Sequence, residues 1–321
     1  MNKTGSLFLI MVSIILLSSC SPSSAYSGQN KIMLILNSEN TNYNQSIIEG
    51  AHSAAAEYSD VILLKRIPSK EDNYQQQNKY IHEAIKSDVE AIIFSAANIR
   101  ESSELIKEAS EKGIKVIMIE SYVMEEQQKF PYIGTNNEEA GIIAAQTIID
   151  LLGNEAKIGL INYIETNGNG IEKERSTRKY LRENSNVEII ANNKSWYDEA
   201  TAQLLAEEMV LVNSDLEAII SFNEITTIGS ARAIEESGLS EQIAVIGFDR
   251  NIEMIPMLEK GIIDALVVQN PFAIGYLSVQ KSMEEDFGKE HKQSLFTGVE
   301  LITPENMFYK EKQKLLFPFS Y

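Results

Sequence analysis

Six apolar runs in this chain end on an acid or an amide. KIMLIL (31–36) runs into Asn37, Asn40, Tyr43 and Asn44. KVIMI (115–119) ends at Glu120, and KIGLI (157–161) meets Asn162 and a loop holding Asn167 and Asn169. Polar endings recur later: AIISF (218–222) stops at Asn223-Glu224, AVIGF (244–248) at Asp249-Arg250, and ALVV (265–268) at Gln269-Asn270. Carboxylates and amides form several hydrogen bonds of fixed geometry. Tyr43, Trp196, Tyr197 and Phe248 accompany them. This mixture suits a sugar, whose hydroxyls take the hydrogen bonds while its C–H face stacks on an aromatic ring. Asn and Asp also favour the turns after strands for conformational reasons alone. That reading accounts for each residue singly but not for the aromatics beside them.

The elements that must position these residues are short. Ile243–Phe248 and Ile262–Val268 are apolar runs separated by a helix-like stretch with Met254, Ile255 and Leu258. Such a pattern is a β-α-β unit with strands buried on both faces. The same alternation is expected throughout. Strands are read at 31–36, 61–64, 91–94 and 115–119, with helices at 46–58 and around Tyr80–Ile85 and Leu105–Ala109. The strands recur about every 30 residues, the length of a βαβ unit. After Tyr132–Thr135 the pattern restarts, with Asn136 and Glu139 marking a helix start. Strands follow at 157–161, 187–191 and 216–222, and helices at 172–182, 201–212 and 225–237. A helix from Phe272 to Asp286, a late strand at 299–302 and a polar tail close the chain. The fold class is therefore α/β, with two similar doubly wound parallel halves. In such sheets ligands bind outside the carboxyl ends of the strands, where Glu120, Asp249 and Gln269 stand.

The length, 321 residues, supports two domains with cores of their own. The formal charge of -18 repels phosphate backbones, so nucleic acid is not an expected partner. Cys20 is the only cysteine, which excludes an internal disulfide and a thiolate metal cluster. Lys3 and the apolar run Leu7–Leu17 precede Leu17-Ser18-Ser19-Cys20. This resembles a bacterial lipobox, in which Cys20 is lipidated and anchors the chain to the membrane; an ordinary secretory signal is the alternative. Residues 1–19 are then a signal peptide and 20–30 a small, polar tether.

YIGTNNEEAG (132–141), IISFNEITTIGSARAI (219–234), VIGFDRNIEMI (245–255) and VVQNPFAIG (267–275) occur in an order that resembles the type I periplasmic binding proteins, ribose-binding-like branch. The resemblance covers about residues 31–303. It implies two lobes joined by three hinge strands and closing on a small ligand, with 31–134 plus 271–300 as one lobe and 136–269 plus 301–321 as the other. By position it implies a ligand set of Asn40, Tyr43, Asn44 and Glu120 from the first lobe. From the second it implies Arg175, Trp196 or Tyr197, Asn223, Asp249 and Gln269. Arg175 is equally readable as a solvated helix charge. Glu120-Ser121 stands where the family often has Asp-Arg, and Asn223-Glu224 where it usually has Asn-Asp. These departures imply a ligand other than ribose, or weaker binding.

The resemblance implies a lipid-anchored extracytoplasmic protein that captures a pentose-like monosaccharide for an ABC permease. A sugar sensor signalling to a membrane histidine kinase is the alternative. A repressor of the same fold requires a helix-turn-helix and a basic patch, and the N-terminus offers a signal-like run instead. An enzyme is not expected. His52, His82 and His291 lie away from the strand ends, and GxSxG, HExxH and P-loop spacings are absent. Glu120 and Asp249 could form a glycosidase pair, but hydrogen-bonding roles are expected of them. No cofactor and no metal are expected.

Overall fold

The computed structural model describes residues 29–38, 41–69, 73–121, 130–163, 168–196, 198–284 and 294–317. Calls on Cys20, Asn40 and Tyr197 lie outside them. The first lobe starts with β1 (Asn30–Ile35), α1 (Asn42–Ala55), β2 (Val61–Arg66), α2 (Tyr74–Lys86), β3 (Ala91–Phe94), α3 (Ile99–Glu111), β4 (Lys115–Ile119) and β5 (Tyr132–Thr135). The second holds α4 (Asn137–Leu152), β6 (Lys157–Tyr163), α5 (Asn169–Asn184), β7 (Glu188–Ser195), α6 (Glu199–Val212), β8 (Ala218–Ser221), α7 (Glu224–Ser237), β9 (Ala244–Phe248), α8 (Met254–Glu259) and β10 (Ala265–Val268). The chain then returns to the first lobe with α9 (Pro271–Ser282) and β11 (Leu295–Thr297), and ends in the second with β12 (Glu300–Ile302) and α10 (Lys310–Leu316).

The two sheets run β11-β5-β4-β3-β1-β2 and β12-β10-β9-β8-β6-β7, so β4 and β9 hold the same place in each. Alternate residues of a strand feed opposite faces. Ile32 and Leu34 of β1 pack with Ile47, Ala51 and Ile274, whereas Met33 and Ile35 pack with Ile81 and Ile106. This is the two-sided burial expected of a doubly wound sheet.

One strand departs from the expected all-parallel arrangement: β12 pairs antiparallel with β10, while β11 pairs parallel with β5. Only Gly298 and Val299 separate β11 from β12, too few for a crossover. The chain therefore leaves the first sheet at its carboxyl edge and enters the second from that same edge. The carboxyl ends of the two sheets face each other across one gap.

Other boundaries also moved. α1 begins at Asn42 because Thr41 caps it, its hydroxyl accepting from the Asn44 N–H at 3.1 Å. Tyr43 and Asn44 thus sit on the first helical turn instead of in a loop. The expected polar tail contains α10, whose Leu316 enters the second lobe's core with Met307. Helices α1 and α9 touch backbone to backbone. A Cβ on Gly275 would stand 1.9 Å from the Ile47 carbonyl oxygen, and one on Gly50 would stand 2.0 Å from that of Phe272. Only glycine fits at either position.

Candidate functional site

Glu120 follows β4 and Asp249 follows β9, at matching places in the two sheets. Both adopt left-handed backbone, with φ of 59° and 68°. That conformation costs roughly 1–2 kcal/mol for a residue with a Cβ, and such strain gathers at ligand sites. It turns each chain sharply off its strand and leaves the carboxylate at the gap between the lobes.

Tyr43, Asn44, Glu120, Asn223, Asp249 and Gln269 line one cavity there. Asn37, Ser95, Tyr163, Asn169, Lys173 and Glu224 line it too. Its volume is about 90 Å³. At roughly 10–15 Å³ per water-sized occupant, that is room for about six to nine of them.

Several of these groups are held in place by the protein itself. Asn44 Nδ2 donates to Asn37 Oδ1 at 3.1 Å and to the Ser38 carbonyl at 2.7 Å. Gln269 Nε2 donates to Asp249 Oδ1. Asn223 Oδ1 is committed to the capping box of α7, accepting from the Thr226 N–H at 2.9 Å. Asn270 caps α9 in the same way, accepting from the Ala273 N–H at 3.1 Å. For Asn270 and for half of Asn223, the conformational reading of strand-end amides is thus the observed one.

Among the described residues, bonds cross between the lobes. Asn42 Nδ2 donates to Glu224 Oε1 at 2.9 Å, Arg250 Nη2 to Ser46 Oγ at 2.8 Å, and Asn169 Nδ2 to Glu120 Oε2 at 3.4 Å.

Among the described residues, four cavity-lining oxygens are buried without a hydrogen-bond partner: Tyr43 Oη, Glu120 Oε1, Glu224 Oε2 and Gln269 Oε1. Each such atom costs about 1–3 kcal/mol unless something in the cavity meets it. Burial pushes the Glu120 carboxyl up, and the Tyr43 hydroxyl beside it, then Lys173, pull it back part of the way. Burial likewise raises Asp249, against the pull of Lys173 and Gln269. Glu224 is raised by burial, against its bonds from Asn42 and Asn251. The Tyr43 hydroxyl is raised well above its ordinary range, by burial first and then by the fields of Glu120 and Asp249. It stays protonated and offers its O–H as a donor.

Lys173 is the cation that makes this cluster tenable. It is 3% exposed, and its Nζ lies 5.1 Å from the centroid of the Phe248 ring. Phe248 in turn stacks on Phe222 with centroids 5.6 Å apart.

The resemblance implies Arg175 as a ligand residue, with a solvated helix charge as the equal reading, and the structure places it outside the cavity. The inward face of α5 carries Gly170, Lys173, Ser176, Thr177 and Leu181 at helical spacing. Arg175 falls on the opposite face, its side chain 72% exposed and paired with Glu172 at 3.4 Å. Trp196 is also displaced from the cavity. Strand β7 runs to Ser195, which points inward at 0% exposure, and alternation turns Trp196 outward, 64% exposed.

Among the described residues, no group of His, Cys, Asp and Glu could hold a metal ion. The groups in the cavity are donors and acceptors fixed from two sides, an arrangement that encloses a polar solute when the lobes close. The fold and cavity define a two-lobed solute receptor. The profile of the family described as Periplasmic binding protein domain matches residues 32–286, and the chain belongs to that family, in its ribose-binding-like branch. The family consists of substrate-binding proteins of transporters, not enzymes.

The Ribose import binding protein RbsB of Bacillus subtilis (strain 168) is 23% identical over 314 residues, covering 94% of this chain and 99% of that protein. The D-allose-binding periplasmic protein of Escherichia coli (strain K12) is 24% identical over 212 residues, 64% of this chain and 68% of that one. Among solved structures, an ABC transporter solute binding protein from Agrobacterium vitis with bound D-fucose superposes with a TM-score of 0.82 at 27% identity. That match covers 89% of this chain and 100% of the other.

Proposed function

We propose that this chain captures one monosaccharide between its lobes and delivers it, as a lipid-anchored extracytoplasmic receptor, to an ABC permease. The observation that carries the reading is the set of four unpartnered buried oxygens around a cavity of about 90 Å³. A polyol meets such atoms with its hydroxyls. The ligands named for the relatives, ribose, allose and fucose, are single sugars. Asn37, Tyr43, Asn44, Glu120, Lys173, Asn223, Glu224, Asp249 and Gln269 are the residues assigned to the ligand.

Residues 21–321 should be melted with a panel of pentoses, hexoses and disaccharides. A sugar at 100 times its dissociation constant adds about 2.7 kcal/mol of stability. One or more monosaccharides should raise the melting temperature by the corresponding amount, and disaccharides should leave it unchanged. A flat response to every single sugar would end the reading. Anchoring is tested apart: in a bacterial host, Cys20→Ser should move the protein from the membrane fraction to the soluble one. Retention of the variant on membranes would show that Cys20 is not the anchor.

A further inference from the structure

Two residues that sequence reasoning assigned to the ligand, Arg175 and Trp196, lie on the same outer flank of the second lobe. Arg175, Arg178, Lys179, Arg182 and Lys194 line a groove of about 540 Å³ between α5 and β7. Ile171, half exposed, adds an apolar surface to it. Among the described residues lining it Glu174 is the one acid, bound to Arg178 at 2.8 Å and to Asn162 at 2.7 Å; Arg175 pairs with Glu172 at 3.4 Å and Arg182 with Glu183 at 3.8 Å. Lys179 and Lys194 are exposed and have no ion pair among the described residues. This concentration of cations stands on a chain of formal charge -18.

Its place in the fold is equally specific. β7 is the edge of its sheet farthest from β10 and β12, where the chain passes between lobes. The groove therefore lies on the flank away from the hinge, running along α5 with its Ile171 end nearest the gap. Trp196 follows Lys194 by two residues and faces solvent. Trp and Arg are the residues that most often carry the energy of protein interfaces. α5 also presents Asn169 and Lys173 to the cavity, so one helix borders both the cavity and the groove.

We propose that this groove is a docking surface for an acidic segment of a partner protein, with Trp196 as its apolar anchor. The inference rests on the delivery reading, in which a membrane partner must meet the rim of the gap. A groove with four cations along α5, Lys194 facing them from β7 and the apolar Ile171 at one end fits an extended acidic chain. Complementary charge of this kind speeds encounter and fixes orientation.

The test uses the mature chain and a labelled ten-residue peptide of alternating Glu and Ala, with the Lys-Ala peptide as control. Anisotropy should report binding of the acidic peptide alone, weakening about tenfold or more between low and physiological salt. Emission of Trp196, the sole tryptophan, should shift in the same titration. The triple variant Lys179→Glu, Arg182→Glu, Lys194→Glu changes exposed side chains and should abolish peptide binding while keeping the melting shift given by sugar. The proposal is overturned if the triple variant binds as the parent does. It is also overturned if both peptides bind alike, or if phosphatidylglycerol vesicles bind and the acidic peptide does not. Loss of the sugar response in the parent with peptide binding intact would sink the solute reading and leave this surface standing.

Discussion

Lys173→Met should abolish solute binding and, at neutral pH, remove about 3–5 kcal/mol of stability, the range for stripping one partner from a buried charge cluster. Methionine keeps the length and packing of the stem, so the change isolates the charge. Lys173 lowers both Glu120 and Asp249, which burial holds above the ordinary carboxylate range. Without it both rise further. A carboxyl whose folded pKa exceeds its unfolded value takes up a proton on folding. Its penalty is thus absent at about pH 4, near the unfolded values, and grows as pH rises through the folded value. Urea titrations at several pH values should show the variant close to the parent at about pH 4 and furthest behind it at about pH 8. A gap that stays constant with pH would assign the contribution of Lys173 to its packing on Phe248 instead.

Asp249→Asn should weaken sugar binding by about 2–5 kcal/mol, the cost of removing one member of a buried, hydrogen-bonded charged contact. Asparagine is the informative replacement because it tolerates the left-handed backbone at this position, where alanine would add strain. The shape of the cavity is kept and its charge is lost. The raised pKa of Asp249 means that the parent carries a penalty for ionising it at neutral pH. The apo variant should therefore melt at or above the parent's temperature, while its titration with sugar goes flat. Calorimetry reads the affinity and scanning fluorimetry the stability. A variant that binds like the parent would remove Asp249 from the ligand set.

The two carboxylates and Gln269 were legible because each ends a short, fully apolar run, and two-sided burial of a strand writes itself into sequence. Lys173 was not legible. The buried face of α5 includes Lys173, Glu174, Ser176 and Thr177, so no apolar stripe told inward from outward and Arg175 was chosen instead. Trp196 was misread for a related cause. β7 continues through the polar stretch Asn192–Ser195 because it pairs with β6, a support that composition does not show. The start of α1 was hidden in a cap, and α10 in a run of lysines, KEKQKLL. Tyr43, Asn44 and Asn223 were found by their place after strands, though Asn223 spends its oxygen on a helix cap.

The glycine contact between α1 and α9 bears on how the chain is made. The first lobe's core includes Ile274 and Val279, and its sheet is completed by β11 at Leu295–Thr297. Those residues come late in a chain of 321. A nascent polypeptide halted after β5 lacks one wall of its own interior and leaves Ile32, Leu34 and Ile47 uncovered. The amino-terminal half therefore gains its complete interior only once nearly all of the chain has been synthesised.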